Sequence, residues 1–359
     1  MKKRYIIYLC VLGLLALSFI PLLTPVRPYI QLPGELVVRF NEPILGIPGI
    51  TNTVIATWLT FIIILALVFG LRSRARTASE VPTGFYNFFE MLVEALYGYV
   101  ENMAGSKWAR TLFPFFMTFI LWIVVANWME LVPGVDSIGK WETTGEIAGH
   151  RAEAEAKAAA AAAGETVSKE ELHHIFDEVE EAVLEENVGH LQRGIFLVNA
   201  ASEATTNAVG ERVNPDDADY SLVPFVRAAA TDLNFTLSVA LISVVMTQYY
   251  GMKAQGLSYW KKFFNWPADK IAKNPLGILD PVVGLLEFVS EIFKIVSFSF
   301  RLLGNIFAGQ VLLFVIGALL PFGNILFWHL EFAVGALQAV IFSLLTLTFM
   351  NSAIHAAHH

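Results

Sequence analysis

Between Pro281 and Pro321 the chain is mostly Val, Leu, Ile and Phe, yet it also carries Glu287, Ser290, Glu291, Lys294, Ser297, Arg301 and Asn305. Placed at 100° per residue on a helix, these seven fall within a sector of about 120°. The result is an inverted amphipathic helix, with an ion-bearing stripe along an otherwise apolar rod. Charges inside a membrane helix are costly, which marks them as candidates for an ion pathway. Glu287, Glu291 and Lys294 can pair with one another at helical spacing. Arg301 has no carboxylate three or four residues away. It is either held by backbone carbonyls as packing or faces a carboxylate on another chain. The second is the sharper reading.

A matching set stands on the last apolar run. Glu331 and Gln338 are seven apart and share a helix face, beside the small residues Gly335, Ala336 and Ala339, which allow close helix approach. In an antiparallel pair Gln338 could reach Arg301 or Asn305. Glu331 is either an interfacial anchor or a carboxylate that takes a proton from an aqueous inlet. Glu287, Ser290 and Glu291 lie towards one end of their helix, Gln310 and Glu331 towards the opposite end, with Arg301 between. A guanidinium does not lose its proton in a protein, so it separates the two sets and forbids a single continuous proton path. The implied chemistry is ion passage through two offset inlets, with no bond made or broken in this chain.

The elements that must position these groups are membrane helices. Of 359 residues, 55% are hydrophobic and only 16% charged, against roughly 25% charged in an ordinary soluble domain. Apolar runs cover 5–23, 53–71, 112–132, 233–250, 281–321 and 325–349. Each crossing needs about 20 residues, so an all-α polytopic membrane protein with five or six spans is predicted. The 281–321 run would make a helix near 60 Å, about twice the hydrocarbon thickness. One long, steeply tilted or curved helix is favoured over a hairpin broken at Gly304-Asn305. The run 5–23 is an extra span or a signal segment, and the poor cleavage site at Ala16-Leu17-Ser18 favours the span. The stretch 84–108 carries Glu90, Glu94, Glu101 and Lys107 on a mildly apolar background. It reads as an amphipathic helix along the membrane interface, with a short soluble helix as the alternative.

Charge orients and divides the chain. Basic clusters precede the first run, follow the second (Arg72, Arg74, Arg76) and follow the fourth (Lys253, Lys261, Lys262, Lys270, Lys273). The positive-inside rule makes them cytoplasmic, with the C-terminus returning to that side. Residues 134–222 hold 19 Asp and Glu against 6 Lys and Arg. This acidic insert is expected outside the cytoplasm, as a helical hairpin or a partly disordered extension. Ser168 with Glu171 forms a capping-box signature that opens a helix over 169–186. The expected organisation is 1–23, an N-terminal span or signal-like segment; 24–133, a first membrane part; 134–222, the insert; and 223–359, the ion-channel helices with a cytoplasmic tail. One cysteine excludes a disulfide framework. No His-Glu-x-x-His motif supports a membrane zinc protease, and no internal repeat supports a secondary transporter. A plain membrane anchor would not explain the stripe.

The run Arg301-Leu302-Leu303-Gly304-Asn305-Ile306-Phe307-Ala308-Gly309-Gln310 resembles the signature of subunit a of the F-type ATP synthase. Thr231-Asp232-Leu233-Asn234-Phe235-Thr236-Leu237-Ser238, Leu337-Gln338-Ala339-Val340-Ile341-Phe342 and Asn127-Trp128-Met129-Glu130-Leu131-Val132-Pro133 resemble further motifs of that family, in order. The resemblance covers roughly 40–133 and 225–355. It implies that Arg301 is the essential arginine facing the rotor carboxylate of the c-ring, with Asn305 and Gln338 as polar neighbours. It also implies a proton path past Glu287, Ser290, Glu291, Lys294, Gln310 and Glu331, and past Asn127, Glu130, Asp232 and Asn234. Gln310 stands where the family commonly has Glu or His, which leaves the titration of the outer inlet to Glu331. The insert is long for the family, which supplies no role for it. The implied protein carries protons (or, in a variant of the same subunit, sodium) across the cell's inner, plasma membrane. The ATP chemistry lies on other subunits. The implied partners are the c-ring, the subunit b stalk, other ATP synthase subunits and the lipid bilayer, without nucleic acid, and no cofactor or metal is expected.

Overall fold

The computed structural model describes residues 34–44, 47–77, 84–135, 138–163, 167–186, 220–263, 279–320 and 322–355. The expected segment 5–23 and residues 187–219 of the insert lie outside the described residues, as do Lys270 and Lys273. In chain order the elements are β1 (Leu36–Ile44), β2 (Ile47–Thr51), α1 (Asn52–Thr77), α2 (Phe85–Glu130), β3 (Gly139–Thr143), α3 (Thr144–Ala163), α4 (Lys169–Glu186), β4 (Tyr220–Pro224), α5 (Leu233–Gln255), a 3-10 turn (Gly256–Lys262), α6 (Leu279–Leu319) and α7 (Asn324–His355). Five helices among the described residues are long and apolar enough to cross a membrane: α1, α2, α5, α6 and α7.

The all-α membrane architecture stands, with two short antiparallel ribbons that the sequence reading does not contain. Strand β1 pairs with β2, and β3 pairs with β4, the second ribbon matching Gly139 with Pro224 and Thr143 with Tyr220. Val, Phe, Trp, Tyr and Thr in these stretches suit strands. The β3–β4 ribbon joins the two ends of the acidic insert at its base.

Helix α2 merges two expected elements, the amphipathic stretch and the third span. At Gly105 the backbone has φ 75°, ψ 157°, so two helical pieces, 85–104 and 106–130, meet at a break. That φ is one L side chains rarely adopt, which is why a glycine stands there. The break thus falls a few residues before the span boundary read from hydropathy. Helix α6 is one uninterrupted helix of 41 residues, with no break at Gly304-Asn305.

The described residues cluster into two compact units. One comprises the described residues within 34–59, 126–231 and 306–333; the other comprises those within 60–125, 232–305 and 334–355. In the first, α3 and α4 pack as a hairpin, with Gly149 lying against the ring of Phe176. Ser168 Oγ accepts the Glu171 amide at 3.1 Å, the N-terminal cap expected from the sequence. Burial, with Glu146 and then Asp177 nearby, pushes the Glu180 carboxyl up from its ordinary value. The same unit holds a buried ion pair, Arg227 Nη1 to Glu35 Oε1 at 3.1 Å. Asn52 donates to the other Glu35 oxygen and to Pro224 O at 3.1 Å.

In the second unit the core is built from Val100, Ala104, Leu112, Phe116, Tyr250, Leu347 and Met350, drawn from α2, α5 and α7. Hydroxyl pairs tie the helices laterally: Thr236 with Ser299 at 3.0 Å, and Ser243 with Thr346 at 2.7 Å. Such interhelical bonds suit an apolar medium, where no solvent competes for the polar groups.

Candidate functional site

Within the first unit, Asn127 and Glu130 at the end of α2, Gln310 on α6 and Glu331 on α7 are all buried. Two indoles clamp these helix ends together. Trp128 Nε1 donates to Phe332 O at 3.0 Å, and Trp328 Nε1 donates to Leu131 O at 2.8 Å. The rings of Trp128 and Phe332 stack with centroids 4.1 Å apart. Glu331 is therefore fixed beside α6 by its own neighbours. Its carboxylate occupies the space that a Cβ on Gly309 would take. Glu331 Oε1 and Gln310 Oε1 are buried without a hydrogen-bond partner among the described residues. A buried carboxylate oxygen left in this state calls for an explanation.

Gly309 was not singled out from the sequence beyond its place in the motif. Its signal is steric: an alanine there would meet the carboxylate, and the flexible end of Glu331 would yield before the helix does. Gly309→Ala is therefore expected to displace the Glu331 carboxylate and, on the ion-passage expectation from the sequence, to lower ion flux severalfold without loss of assembly. Flux per assembled complex in vesicles checks this, and wild-type flux would contradict it.

Within the second unit, Arg301 is exposed on α6. Among the described residues no carboxylate lies within ion-pair distance of it, and its guanidinium carbon sits 5.8 Å from the centre of the Phe298 ring. One turn on, Asn305 Nδ2 donates to Gln338 Oε1 at 2.7 Å, so of the two reaches expected for Gln338 the structure makes the one to Asn305. Gln338 is buried, and its Nε2 has no partner among the described residues. Asp232 is the N-cap of α5, accepting the Asn234 amide at 2.8 Å, while Asn234 itself is exposed.

The expected mutual pairing of Glu287, Glu291 and Lys294 is only partly made. Lys294 Nζ meets Glu291 Oε1 at 2.8 Å. The cation near Glu287 is instead Lys262, at 3.8 Å, which also lies 3.6 Å from Glu291. Gln248 Nε2 donates to Glu291 Oε2 at 2.9 Å, and the Tyr259 hydroxyl donates to Gln248 Oε1 at 2.7 Å. Glu287 and Ser290 are exposed and Glu291 is buried. Lys262 entered the sequence reading only as part of a basic cluster that orients the chain. Gln248 and Tyr259 gave no signal, because their partners lie on another helix.

The family described as ATP synthase A chain matches residues 54–163 and 182–351 of this chain. The match runs further than the motifs do and takes in α3, inside the acidic insert. Among similar proteins is the ATP synthase subunit a of Mycobacterium marinum, 25% identical over 321 residues that cover 88% of this chain and 92% of the relative. The subunit a of Mycobacterium tuberculosis matches to the same extent, 25% over 321 residues, with 88% and 92% covered. That of Aliarcobacter butzleri is 36% identical over 145 residues, 38% of this chain and 57% of the relative. With the family matched on either side of a single gap and across all five apolar helices, the chain belongs to the ATP synthase A chain family.

Proposed function

We propose that this chain passes protons between two offset half-channels and the carboxylates of a rotor ring, and so couples ion flow to rotation. Membership of the family makes it a multi-pass membrane subunit of ATP synthase that works with the other subunits of that assembly. The observation that carries the finer reading is Arg301, a permanent cation exposed on an apolar helix, with no carboxylate in ion-pair distance among the described residues. A carboxylate on a neighbouring ring of subunits would complete it, and subunit b is the expected second neighbour. By the positive-inside rule the basic clusters favour a cytoplasmic C-terminus with the acidic insert outside, and the proposed membrane is the plasma membrane of the cell.

In this mechanism a proton enters the outer half-channel past Gln310 and Glu331, with Asn127 and Glu130 near its lining. It neutralises a ring carboxylate, which can then face lipid, where an ionised one could not. After nearly a full turn the carboxylate meets the inner half-channel, lined by Glu287, Ser290, Glu291 and Lys294, and releases its proton. Arg301 favours the ionised carboxylate as it passes, with Asn305 and Gln338 beside it. Asp232 and Asn234 shape the start of α5.

The test is Glu331→Gln in the whole ATP synthase reconstituted in sealed vesicles. Coupled proton flux is expected to fall at least about tenfold, the equivalent of roughly 1.4 kcal/mol, with ATP hydrolysis by detached catalytic subunits unaffected. Unchanged flux would mean that another group serves the outer inlet. ATP-driven transport should follow pH and not sodium, and a sodium requirement would overturn the choice of ion.

A further inference from the structure

We infer that Lys262 is a positioning residue of the inner half-channel, dividing the work between two carboxylates: Glu291 is a fixed anion, and Glu287 is the one that exchanges protons. This rests on the inner-inlet reading above. The turn that carries Lys262 is seated by two glycines. Tyr259 lies flat against Gly251 of α5, and a Cβ on Gly284 of α6 would stand 2.6 Å from Phe263 O. The ammonium is then held over two rings, 4.3 Å from the centre of Tyr259 and 4.3 Å from that of Phe263.

From there it faces both carboxylates, but their surroundings differ. The Glu291 side chain is 11% exposed. Lys294 and Lys262 meet its Oε1, and the Gln248 amide donates to its Oε2. The Tyr259 hydroxyl occupies the Gln248 carbonyl and so fixes which way that amide points. A proton added to Glu291 would have to displace one of these donors. The Glu287 side chain is 45% exposed, and among the described residues its ion-pair contact is the 3.8 Å approach of Lys262. Fewer of the described contacts would have to rearrange at Glu287 than at Glu291. Ser290, also exposed on α6, carries a hydroxyl three residues on from Glu287.

Among the described residues, the charged and titratable groups facing Lys262 are Glu287, Glu291 and Lys294 from α6, and Tyr259 from its own turn. Burial pushes the Lys262 ammonium below the ordinary lysine value, against the pull of Glu291 and Glu287 and with a push from Lys294. As pH rises, this cation is lost earlier than a surface lysine would be, and the two carboxylates then lose their shared partner. An arginine at the same place would stay charged throughout.

The experiment is ATP-driven proton pumping by the reconstituted ATP synthase, followed across neutral and alkaline pH with ATP hydrolysis measured in parallel. Lys262→Gln is expected to lower pumping severalfold and to flatten the alkaline limb of the profile. Lys262→Arg is expected to keep most of the pumping and to carry the alkaline limb to higher pH. Glu287→Gln should reduce pumping more than Glu291→Gln at equal assembly. The assignment is overturned if Lys262→Arg leaves the alkaline limb in place, if Lys262→Gln pumps with the wild-type profile, or if Glu291→Gln is the more damaging of the two. If neither glutamate substitution alters pumping, the inner-inlet reading itself fails and takes this assignment with it. If Glu287→Gln is damaging while the Lys262 variants behave as wild type, the inlet stands and only the role of Lys262 is lost.

Discussion

Replacing Arg301 by alanine is expected to bring proton-driven ATP synthesis down to background while the chain still folds and assembles. Both halves of that outcome follow from where the side chain lies. Arg301 is exposed on α6, and its aromatic contact is one ring, Phe298. Removing an exposed side chain of this kind changes folding stability by about 0.5 kcal/mol or less. Its value is electrostatic. In the proposed mechanism, a passing ring carboxylate that meets no cation has less reason to give up its proton, and a proton is then free to cross from one inlet to the other. A membrane potential of 100 mV supplies only about 2.3 kcal/mol per charge moved, so a modest leak dissipates the drive for each step. Lysine keeps the charge but not the planar fork, so Arg301→Lys should recover little. Synthesis and passive proton permeability, measured in the same vesicles, check this, and normal synthesis by Arg301→Ala would refute the role assigned to the residue.

The largest effect on stability is expected within the first unit, at Arg227 and Glu35. These residues are 192 positions apart in sequence and meet at 3.1 Å, with the Arg227 side chain 2% exposed. Removing one member leaves the other charge buried, which typically costs about 3–5 kcal/mol. The Glu35 and Asn52 amides report on this directly, because Glu35 N–H donates to Asn52 Oδ1 at 3.2 Å and Asn52 N–H donates to Glu35 O at 2.9 Å. In Arg227→Met, hydrogen exchange at these two amides should accelerate by about two to three orders of magnitude. Arg227 Nε and Nη2 are buried without a hydrogen-bond partner among the described residues, so the pair already carries a desolvation cost. Arg227→Met combined with Glu35→Gln, which removes both charges, should therefore exchange far more slowly than Arg227→Met alone. Equal exchange in the single and double variants would show that the ion pair is not what holds this corner.

The stripe on α6 could be read from the sequence because one helix carries it: spacing alone puts Glu287, Glu291, Lys294, Arg301 and Asn305 on one face. The Ser168 cap on α4 is equally local, since a serine and an amide three residues on need nothing else. The absence of proline between 281 and 321 was enough to anticipate one unbroken helix in place of a hairpin. By contrast, the β3–β4 ribbon joins residues some 80 positions apart, and no short-range pattern announces such a pairing. The break at Gly105 was hidden because hydropathy changes gradually across 100–112, whereas the backbone turns at a single residue.

Periodicity and composition alone determined the membrane class, the long polar-striped helix and the place of Arg301 on its polar stripe. These depend on neighbours within a turn or two, and the sequence holds all of them. Only the tertiary structure decided which cation serves which glutamate, that Glu331 sits against Gly309, and that Arg227 closes on Glu35. Each of those depends on side chains from separate elements meeting in space, and spacing along one chain carries no information about the distance between two helices.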